Sequence, residues 1–376
     1  MNTKVVISAT GLFLPPEQIS TAELVASYNA YVHRFNADRQ AEIAAGAVAP
    51  LSTSSEAFIV KASGIANRYV MEKEGILDID RMHPVFPERT DDEPSIQSEM
   101  AVAAVQDALA KAGKTPADVD AVIVSCTSLQ RPYPAIAIEV QSALGIDGFA
   151  FDMNVACSAA TYAIKIAADF IAAGSARCVV AVNPEINSGF NNFRDRDSHF
   201  IFGDIATATV IERADTCRAS APFLIRGTRL LSRFSSNVRN NFSFINRWDP
   251  EALERADTLF YQNGRRVFKE VIPLAAQLIT GHVTDLGIST SDIRRLWLHQ
   301  ANINMNLLVA NKVLGHAPRD GEAPLVLEKY GNTASAGAIL AFHHHHDDFS
   351  PGEMGVICSF GAGYSAGSIV LERIQG

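Results

Sequence analysis

An internal repeat constrains the fold of this 376-residue chain more than any other feature. Residues 113–119 lead into the apolar run 122–125, and almost half a chain length later residues 287–293 lead in the same way into 296–299. The run 202–213 begins with Phe-Gly and ends with Glu-Arg, as does the run 360–373. Repeated segments of this size predict a duplicated structural unit, with the functional site between its two copies.

Helical and strand patterns alternate along the chain. Residues 95–112 place apolar side chains on one face of a helix that Gly113 ends, whereas 121–125 and 178–182 are short, β-branched runs typical of buried strands. This alternation predicts a layered α/β fold. We expect two halves, residues 1–215 and 216–376, with an insertion at about 17–95 that forms a cap on the first half.

A cysteine stands at the start of the most alanine-rich helical run. Small residues flank Cys157, and a helix N-terminus favours a thiolate through its free N–H groups and its dipole. Cys157 is therefore a candidate nucleophile, with an inert buried cysteine as the alternative. Two later residues favour the first interpretation. His299 ends the repeated segment 296–299, and Asn332 follows Cys157 by 175 positions, each of the two standing before a small-residue helix, so the repeat pairs Cys157 with Asn332. Cys, His and Asn together can move a proton and stabilise an oxyanion.

Composition excludes several classes of protein. Hydrophobic residues make up 48% and the net charge is −9, which favours a large globular core and argues against nucleic-acid binding. Five cysteines without C-x-x-C spacing predict free thiols in a reducing compartment. Without a signal-peptide pattern or an apolar run of transmembrane length, we expect a soluble cytoplasmic protein with no membrane insertion. The run 343–346 is four histidines, which we interpret as a solvated helix end; we predict no metal site.

The motifs and their order resemble the β-ketoacyl-acyl-carrier-protein synthase III family of the thiolase-fold superfamily. The resemblance rests on residues 152–157, 195–196, 202–204, 299–302, 331–333 and 360–363. It implies a thiolase-like fold, which is a duplicated five-layered αβαβα unit, and a homodimer.

The family's chemistry implies a role for each central residue. Cys157 would take the acyl group of an acyl-CoA, and malonyl-acyl carrier protein (malonyl-ACP) would lose CO2 and attack it, giving a 3-oxoacyl-ACP for fatty-acid or related lipid synthesis. His299 and Asn332 would donate hydrogen bonds to the malonyl thioester oxygen, and His299 would help to ionise Cys157. The acyl oxyanion would lie between the Cys157 N–H and the loop of Ala362 and Gly363, with Ala362 as donor. Acyl-CoA and malonyl-ACP are substrates, and no cofactor is implied.

The resemblance also implies substrate-binding residues. Arg196 and Phe58 match the residues that stack on the CoA adenine, and Arg68 and Lys61 are alternative phosphate contacts. Asn302 matches a pantetheine contact. We expect two further aromatic residues, Phe202 and Phe360, to line the acyl tunnel, with a packing role as the alternative.

Tyr133 matches a position that crosses the dimer interface to the partner's acyl pocket, with an ordinary loop aromatic as the alternative. Together with the insertion, it motivates the hypothesis of a medium-chain donor. Asn304 replaces a basic residue that docks the carrier protein, whereas Lys312 is retained. The alternatives are a thiolase or hydroxymethylglutaryl-CoA synthase, a polyketide or secondary-metabolite condensing enzyme, and a non-condensing acyl-binding protein. Asn332 argues against a thiolase, and Cys358 lies one strand position from a thiolase's second cysteine.

Overall fold

The computed structural model describes residues 3–241 and 258–376. Its strands are β1 Val5–Phe13, β2 Glu17–Ser20, β3 Asn67–Val70, β4 Ala121–Ser125, β5 Phe149–Met153, β6 Cys178–Glu185, β7 Ile205–Arg213, β8 Phe223–Ser235, β9 Val238–Arg239, β10 Tyr261–Gln262, β11 Ile293–Leu298, β12 Met354–Gly361 and β13 Gly363–Arg373. Its helices are α1 Thr21–Asp38, α2 Gln40–Ala44, α3 Glu56–Ser63, α4 Glu74–Leu77, α5 Ile96–Ala112, α6 Ile136–Leu144, α7 Ala159–Ala172, α8 Gly264–Asp285, α9 Ile303–Leu314, α10 Leu327–Tyr330 and α11 Gly337–His344.

The main sheet joins strands from both halves of the chain. Its order is β11-β12-β13-β8-β1-β7-β6-β4-β5, and only two residue pairs, Val6↔Leu224 and Ile7↔Phe223, connect the halves through β1 and β8. β4 is parallel to β5 and to β6, and β11 is parallel to β12. Because parallel strands end at the same edge, the loops after β4, β5 and β6 lie together. β5 is the outermost strand on its side.

Three hydrophobic cores separate five layers. Helices α7 and α11 lie in the middle, where Ala163 and Ile339 pack with Ile123 of the first sheet half and Ile357 of the second. Helices α5 and α6 cover the outer face of the first half, and α8 and α9 cover that of the second. The predicted five-layered αβαβα arrangement is confirmed. A middle helix is enclosed on both sides, which explains why α7 is rich in alanine.

The insertion at 17–95 forms a separate small cap. Its core contains Ile19, Tyr28 and Ile76, and α1 begins with a capping box between Ser20 and Glu23. Helix α1 ends at Asp38 and the short helix α2 follows it to Ala44, whereas the four-residue strand β3 is too short for an alternating pattern to be visible in the sequence. The predicted boundary between residues 215 and 216 falls in the short connection between β7 and β8.

Arg68, at the centre of β3, is fully buried. Its guanidinium donates to the Thr21 Oγ1 at 2.9 Å and to the Phe200 carbonyl at 2.9 Å. Arg68 therefore holds the cap to the 200–203 loop, and the prediction of a phosphate contact was wrong for this residue. Within the two described ranges, no helix is long and apolar enough to cross a membrane.

Candidate active site

Two matching turns form the centre of the site. The side-chain oxygen of Asn154 accepts from the Ala156 N–H at 3.0 Å, and that of Asn332 accepts from the Ala334 N–H at 2.9 Å. Ala156 and Ala334 have φ values of 46° and 48°, in the left-handed region that L-residues rarely adopt. Each turn then passes through a short 3-10 segment into a middle helix, α7 or α11.

This geometry changes the alignment of the repeat. Asn332 corresponds to Asn154, and the counterpart of Cys157 is Ser335, whereas the sequence comparison paired Cys157 with Asn332. The two segments are rich in small residues, so the sequence alone offered several registers. The side chains of Cys157 and Asn332 therefore converge from non-equivalent positions of two similar turns, three residues apart in the new alignment.

Cys157 lies where two cavities meet. The first has a volume of about 240 Å³ and is lined by Cys157, His299 and Asn332 together with Asn302 and Phe360. The second has a volume of about 290 Å³ and extends from Cys157 past Thr127, Asn187 and Phe190. Four other residues line both cavities: Phe202, Val238, Phe260 and Ala362. The three predicted catalytic side chains thus line one cavity, and a second cavity also reaches the thiol of Cys157.

The Cys157 thiol is protonated at neutral pH in the free protein. Burial and the negative charge of Glu185 raise its pKa to about 12, although the backbone N–H of Ala362 forms a hydrogen bond to the sulfur that lowers it. Burial and Glu185 thus oppose the thiolate that the helix N-terminus favours, and a thiolate at Cys157 stays a prediction. Cys157 lies in the 3-10 segment before α7, and the cost of removing its charge from water exceeds the stabilisation offered by the helix end.

His299 is a neutral hydrogen-bonding group in this site. It follows β11, is 3% exposed, and packs edge-on against the Phe360 ring at 5.4 Å between centroids. Burial lowers its pKa to about 4, with a smaller opposing effect from the Ala334 backbone. A neutral imidazole supplies no positive charge to the free site, so its part in ionising Cys157 stays a prediction.

Asn332 presents its amide in a defined orientation. Its Oδ1 is bound to the Ala334 N–H, which leaves the Nδ2 as the hydrogen-bond donor. Its backbone is fixed on both sides, since its N–H donates to the Ile201 carbonyl at 2.9 Å and its carbonyl accepts from the Gly203 N–H at 3.1 Å. This short bridge ties Asn332 to the segment that carries Phe202.

The loop between β12 and β13 lies against the nucleophile. Ala362 lines both cavities, and Gly363 has a φ of 127°, a region that favours glycine. A Cβ atom added to Gly361 would lie 2.6 Å from the Cys157 Cβ and 3.0 Å from its Sγ. The loop therefore needs a glycine where the thiol comes closest.

We expect Gly361→Ala to block acylation of Cys157. The added methyl group occupies the space beside the sulfur, so the thiol or the Ala362 N–H must move, and misplacement of about 1 Å at a reacting atom costs on the order of 10²-fold in rate. The rate of acyl-adduct formation, followed by intact-protein mass, measures the effect. Gly264→Ala is a matched control at the start of α8, where an added Cβ meets nothing within 4 Å and the backbone has no left-handed φ. Adduct formation at the wild-type rate in Gly361→Ala would contradict the prediction.

The predicted CoA-binding residues lie at the mouth of the first cavity. Phe58 is 57% exposed, and the Arg196 guanidinium lies 5.8 Å from its ring centre. The neighbouring residues Ala62 and Asp197 line the cavity itself. Asn302 caps α9 through a 2.9 Å hydrogen bond from the Met305 N–H, and it lines the same cavity.

The remaining predicted residues have distinct positions. Phe202 separates the two cavities, whereas Phe360 lines only the first. Tyr133 is 81% exposed and lines neither cavity, so the single chain does not bring it to the thiol. Cys358 is fully buried in the core beneath α8 and α9 and does not line either cavity.

Several residues of the site were missed by sequence reasoning. Phe260 packs edge-on against Phe202, with ring centres 4.7 Å apart, and lines both cavities. Glu185 is the last residue of the buried strand β6, and the sequence of this strand does not indicate that Glu185 lies near Cys157. Arg265, Arg266 and Lys269 are exposed on the first turns of α8, beside a cavity-lining residue, and form a basic cluster that the overall negative charge concealed.

The four consecutive histidines diverge from one another. His343 Nδ1 lies 2.8 Å from the Thr10 Oγ1, and His344 Nε2 lies 3.0 Å from the Tyr330 hydroxyl. In residues 3–241 and 258–376, no group of three or more His, Cys, Asp or Glu side chains is arranged to hold a metal ion.

Comparison with known proteins supplies the family. The model of the 3-oxoacyl-(acyl-carrier-protein) synthase III family matches residues 151–224, and the model of its C-terminal part matches residues 283–373. The β-ketodecanoyl-(acyl-carrier-protein) synthase of Pseudomonas aeruginosa is 54% identical over 347 residues, which is 92% of this chain and 99% of that protein.

Solved structures agree on the fold. The 3-oxoacyl-(acyl carrier protein) synthase III of Pseudomonas aeruginosa PAO1 superimposes with a TM-score of 0.76 at 22% identity, covering 99% of each chain. The priming β-ketosynthase of the R1128 polyketide pathway gives a TM-score of 0.77 at 23% identity, covering 100% of this chain and 97% of the other. With more than half of its residues identical to those of one relative across almost the full length of both, the chain belongs to the 3-oxoacyl-(acyl-carrier-protein) synthase III family of acyl-transferring condensing enzymes.

Proposed function

We propose that this enzyme condenses a medium-chain acyl group, taken from acyl-CoA by Cys157, with malonyl-ACP to form a 3-oxoacyl-ACP. One observation carries the proposal: Cys157 lies between a cavity that holds His299 and Asn332 and a second cavity that holds neither. Such a division provides separate places for the group that loses CO2 and for the acyl chain.

The first half-reaction is a thioester exchange at Cys157. The sulfur attacks the acyl-CoA carbonyl carbon, the bond from that carbon to the CoA sulfur breaks, and the proton of the Cys157 thiol passes to the departing CoA thiolate. The backbone N–H groups of Cys157 and Ala362 are placed to donate to the transient oxyanion. The Ala362 N–H already faces the sulfur in the free protein.

The second half-reaction uses the first cavity. The malonyl thioester oxygen accepts hydrogen bonds from His299 and Asn332 while the bond to the carboxylate breaks and CO2 leaves. The resulting enolate carbon attacks the acyl carbonyl, the bond from that carbon to the Cys157 sulfur breaks, and the departing thiolate takes up a proton from solvent water. Neither step changes an oxidation state, so we propose that the two thioesters are the only small molecules required.

The second cavity supports a medium-chain donor. A cavity of about 150 Å³ accommodates the six carbons of benzene, so about 290 Å³ has room for a chain of up to roughly twelve carbons, which includes the medium-chain range. The 54% identical relative is named for a ten-carbon product, which a decarboxylative condensation forms from an eight-carbon donor. The insertion reaches only the first cavity, through Ala62, Ser63 and Ile65, and so lies on the thioester side rather than over the acyl chain.

Surface features support the proposed binding of CoA and of acyl carrier protein and the proposed homodimer. Phe58 and Arg196 form an exposed aromatic–cation pair suited to an adenine, and the basic cluster of Arg265, Arg266 and Lys269 suits an acidic carrier protein. The free outer edge of β5 and the exposed Tyr133 support a homodimer. All five cysteines are free thiols, which supports a cytoplasmic location.

We expect the condensation rate to be highest with octanoyl-CoA in a series from acetyl-CoA to lauroyl-CoA. The assay supplies malonyl-ACP and, in parallel, malonyl-CoA, and measures the 3-oxoacyl product by mass spectrometry. Exclusive use of acetyl-CoA would contradict the medium-chain proposal. An acyl adduct without release of CO2 from malonyl thioester would instead identify a non-condensing acyl-binding protein.

A further inference from the structure

Glu185 is a buried carboxylate beside the reacting groups that the mechanism above does not use. It ends β6 and is fully buried. Its oxygens accept from the Thr127 N–H at 2.9 Å and the Thr127 hydroxyl at 3.1 Å. They also accept from the Ser335 N–H at 3.2 Å and, through a short contact, from the Ser335 hydroxyl.

These bonds tie together the two turns of the site. On one side, the Thr127 carbonyl accepts from the Asn154 side-chain amide at 2.8 Å, and Asn154 in turn holds the Ala156 turn that aims Cys157. On the other side, Ser335 lies in the 3-10 segment directly after Asn332 and Ala334. A single carboxylate therefore connects the nucleophile's turn in one half to the turn of Asn332 in the other.

We propose that Glu185 is a positioning residue that fixes the Cys157 turn against the Asn332 turn through its bonds to Thr127 and Ser335. Its role in condensation rests on the proposed function, whereas its connection of the two turns does not. Glu185 touches no substrate, and it acts through Thr127, Ser335 and its field.

The electrostatics around Glu185 agree with this assignment. The titratable groups that face it are the thiols of Cys157 and of Cys126, which follows β4, and the charge of Glu185 raises the pKa of both. Burial raises the pKa of Glu185 itself to about 7, while its bonds to Ser335 and Thr127 lower it. Loss of this charge removes a repulsion that disfavours the Cys157 thiolate, so the pKa of the thiol must fall.

The test is the pH dependence of Cys157 alkylation in Glu185→Gln. Iodoacetamide reacts with the thiolate, so its rate follows the thiolate fraction, which changes tenfold per pH unit below the pKa. We expect the peptide-level rate at Cys157 near pH 8 to rise at least about threefold in the variant. We also expect kcat for condensation to fall about tenfold with little change in KM, because a neutral amide oxygen holds these donors less strongly than a carboxylate, and the amide NH2 group loses the 3.2 Å bond that Oε2 accepts from the Thr127 N–H.

Two further variants keep the test decisive. Glu212→Gln removes an equally buried glutamate on the neighbouring strand β7, bonded to Lys114 at 2.7 Å and outside both cavities; it should lower the melting temperature without changing the alkylation profile. Glu185→Asp keeps the negative charge, but its shorter side chain cannot reach both Thr127 and Ser335. Its alkylation profile should therefore stay near wild type while kcat falls. An unchanged alkylation profile in Glu185→Gln, with only a lower melting temperature, would overturn the proposal. If no acyl-CoA loads Cys157, the proposed function is contradicted. The alkylation profile would still test the role of Glu185 on its own.

Discussion

Cys157→Ala is expected to lower the condensation rate by a factor on the order of 10⁴ or more and to abolish the acyl adduct. The sulfur is the atom that carries the acyl chain between the two cavities, and no other described cysteine lines either of them. Ala keeps the 3-10 segment and adds no bulk, so the loss is chemical rather than structural. Intact-protein mass after mixing with octanoyl-CoA, together with product formation, measures both effects.

Two controls separate this result from general damage. Cys217→Ala changes a partly exposed cysteine that lines neither cavity and should keep wild-type loading. Cys157→Ala itself should still release CO2 from malonyl-ACP, because His299 and Asn332 remain. Persistence of the adduct in Cys157→Ala would identify a different nucleophile and contradict the mechanism.

Replacing either donor of the first cavity should affect the other half-reaction. We expect His299→Ala and Asn332→Asp each to slow release of CO2 from malonyl-ACP by about 10²- to 10³-fold while acyl loading of Cys157 continues. Asn332→Asp is the sharper variant, since its carboxylate can still accept from the Ala334 N–H but has no Nδ2 donors and places negative charge beside the enolate. Release of labelled CO2 and intact-protein mass measure the two half-reactions separately.

The pH profile gives a second measure of His299. Its folded-state pKa is about 4, below the ordinary value of 6.5, so the imidazole is neutral at pH 7 and becomes charged only as the pH falls towards 4. CO2 release should therefore show no decline from His299 between about pH 8 and pH 5. His316→Ala, an exposed histidine outside the cavities, is the matched control. Equal loss of loading and CO2 release in His299→Ala would contradict the assigned division of roles.

The sequence could predict which side chains meet, but not their ionisation. The repeat predicted a duplicated unit, and the family resemblance implied its five layers. The strings around Cys157, His299 and Asn332 were distinctive enough to place these residues at one site. Protonation of the thiol depends on burial and on Glu185, which reaches Cys157 only through the packing of β6 against β4. The apolar pattern of a buried strand does not show which of its side chains lies next to a reacting group.

The sequence also could not predict the register of the internal repeat or all the residues that line the two cavities. The pairing of Cys157 with Ser335 depends on two left-handed alanines, a backbone property that alanine does not signal. Arg68 looked like a surface cation because charged residues are usually exposed, yet the cap surrounds it with backbone acceptors. Phe260 became part of the site only through its tertiary contact with Phe202.

If the proposed homodimer forms through the outer edge of β5, the order of the nucleophile's turn would depend on protein concentration. Within the described ranges this outermost strand pairs with β4 alone, and the chain passes from it directly into Asn154 and the turn of Cys157. A partner that adds a strand to the open edge would bind the ordered turn and stabilise it by mass action, by about 2.7 kcal/mol at a hundredfold excess over the dissociation constant. Dilution would then loosen the alignment of the thiol well before the layered core unfolds, and catalytic competence would be a property of the assembly rather than of the isolated chain.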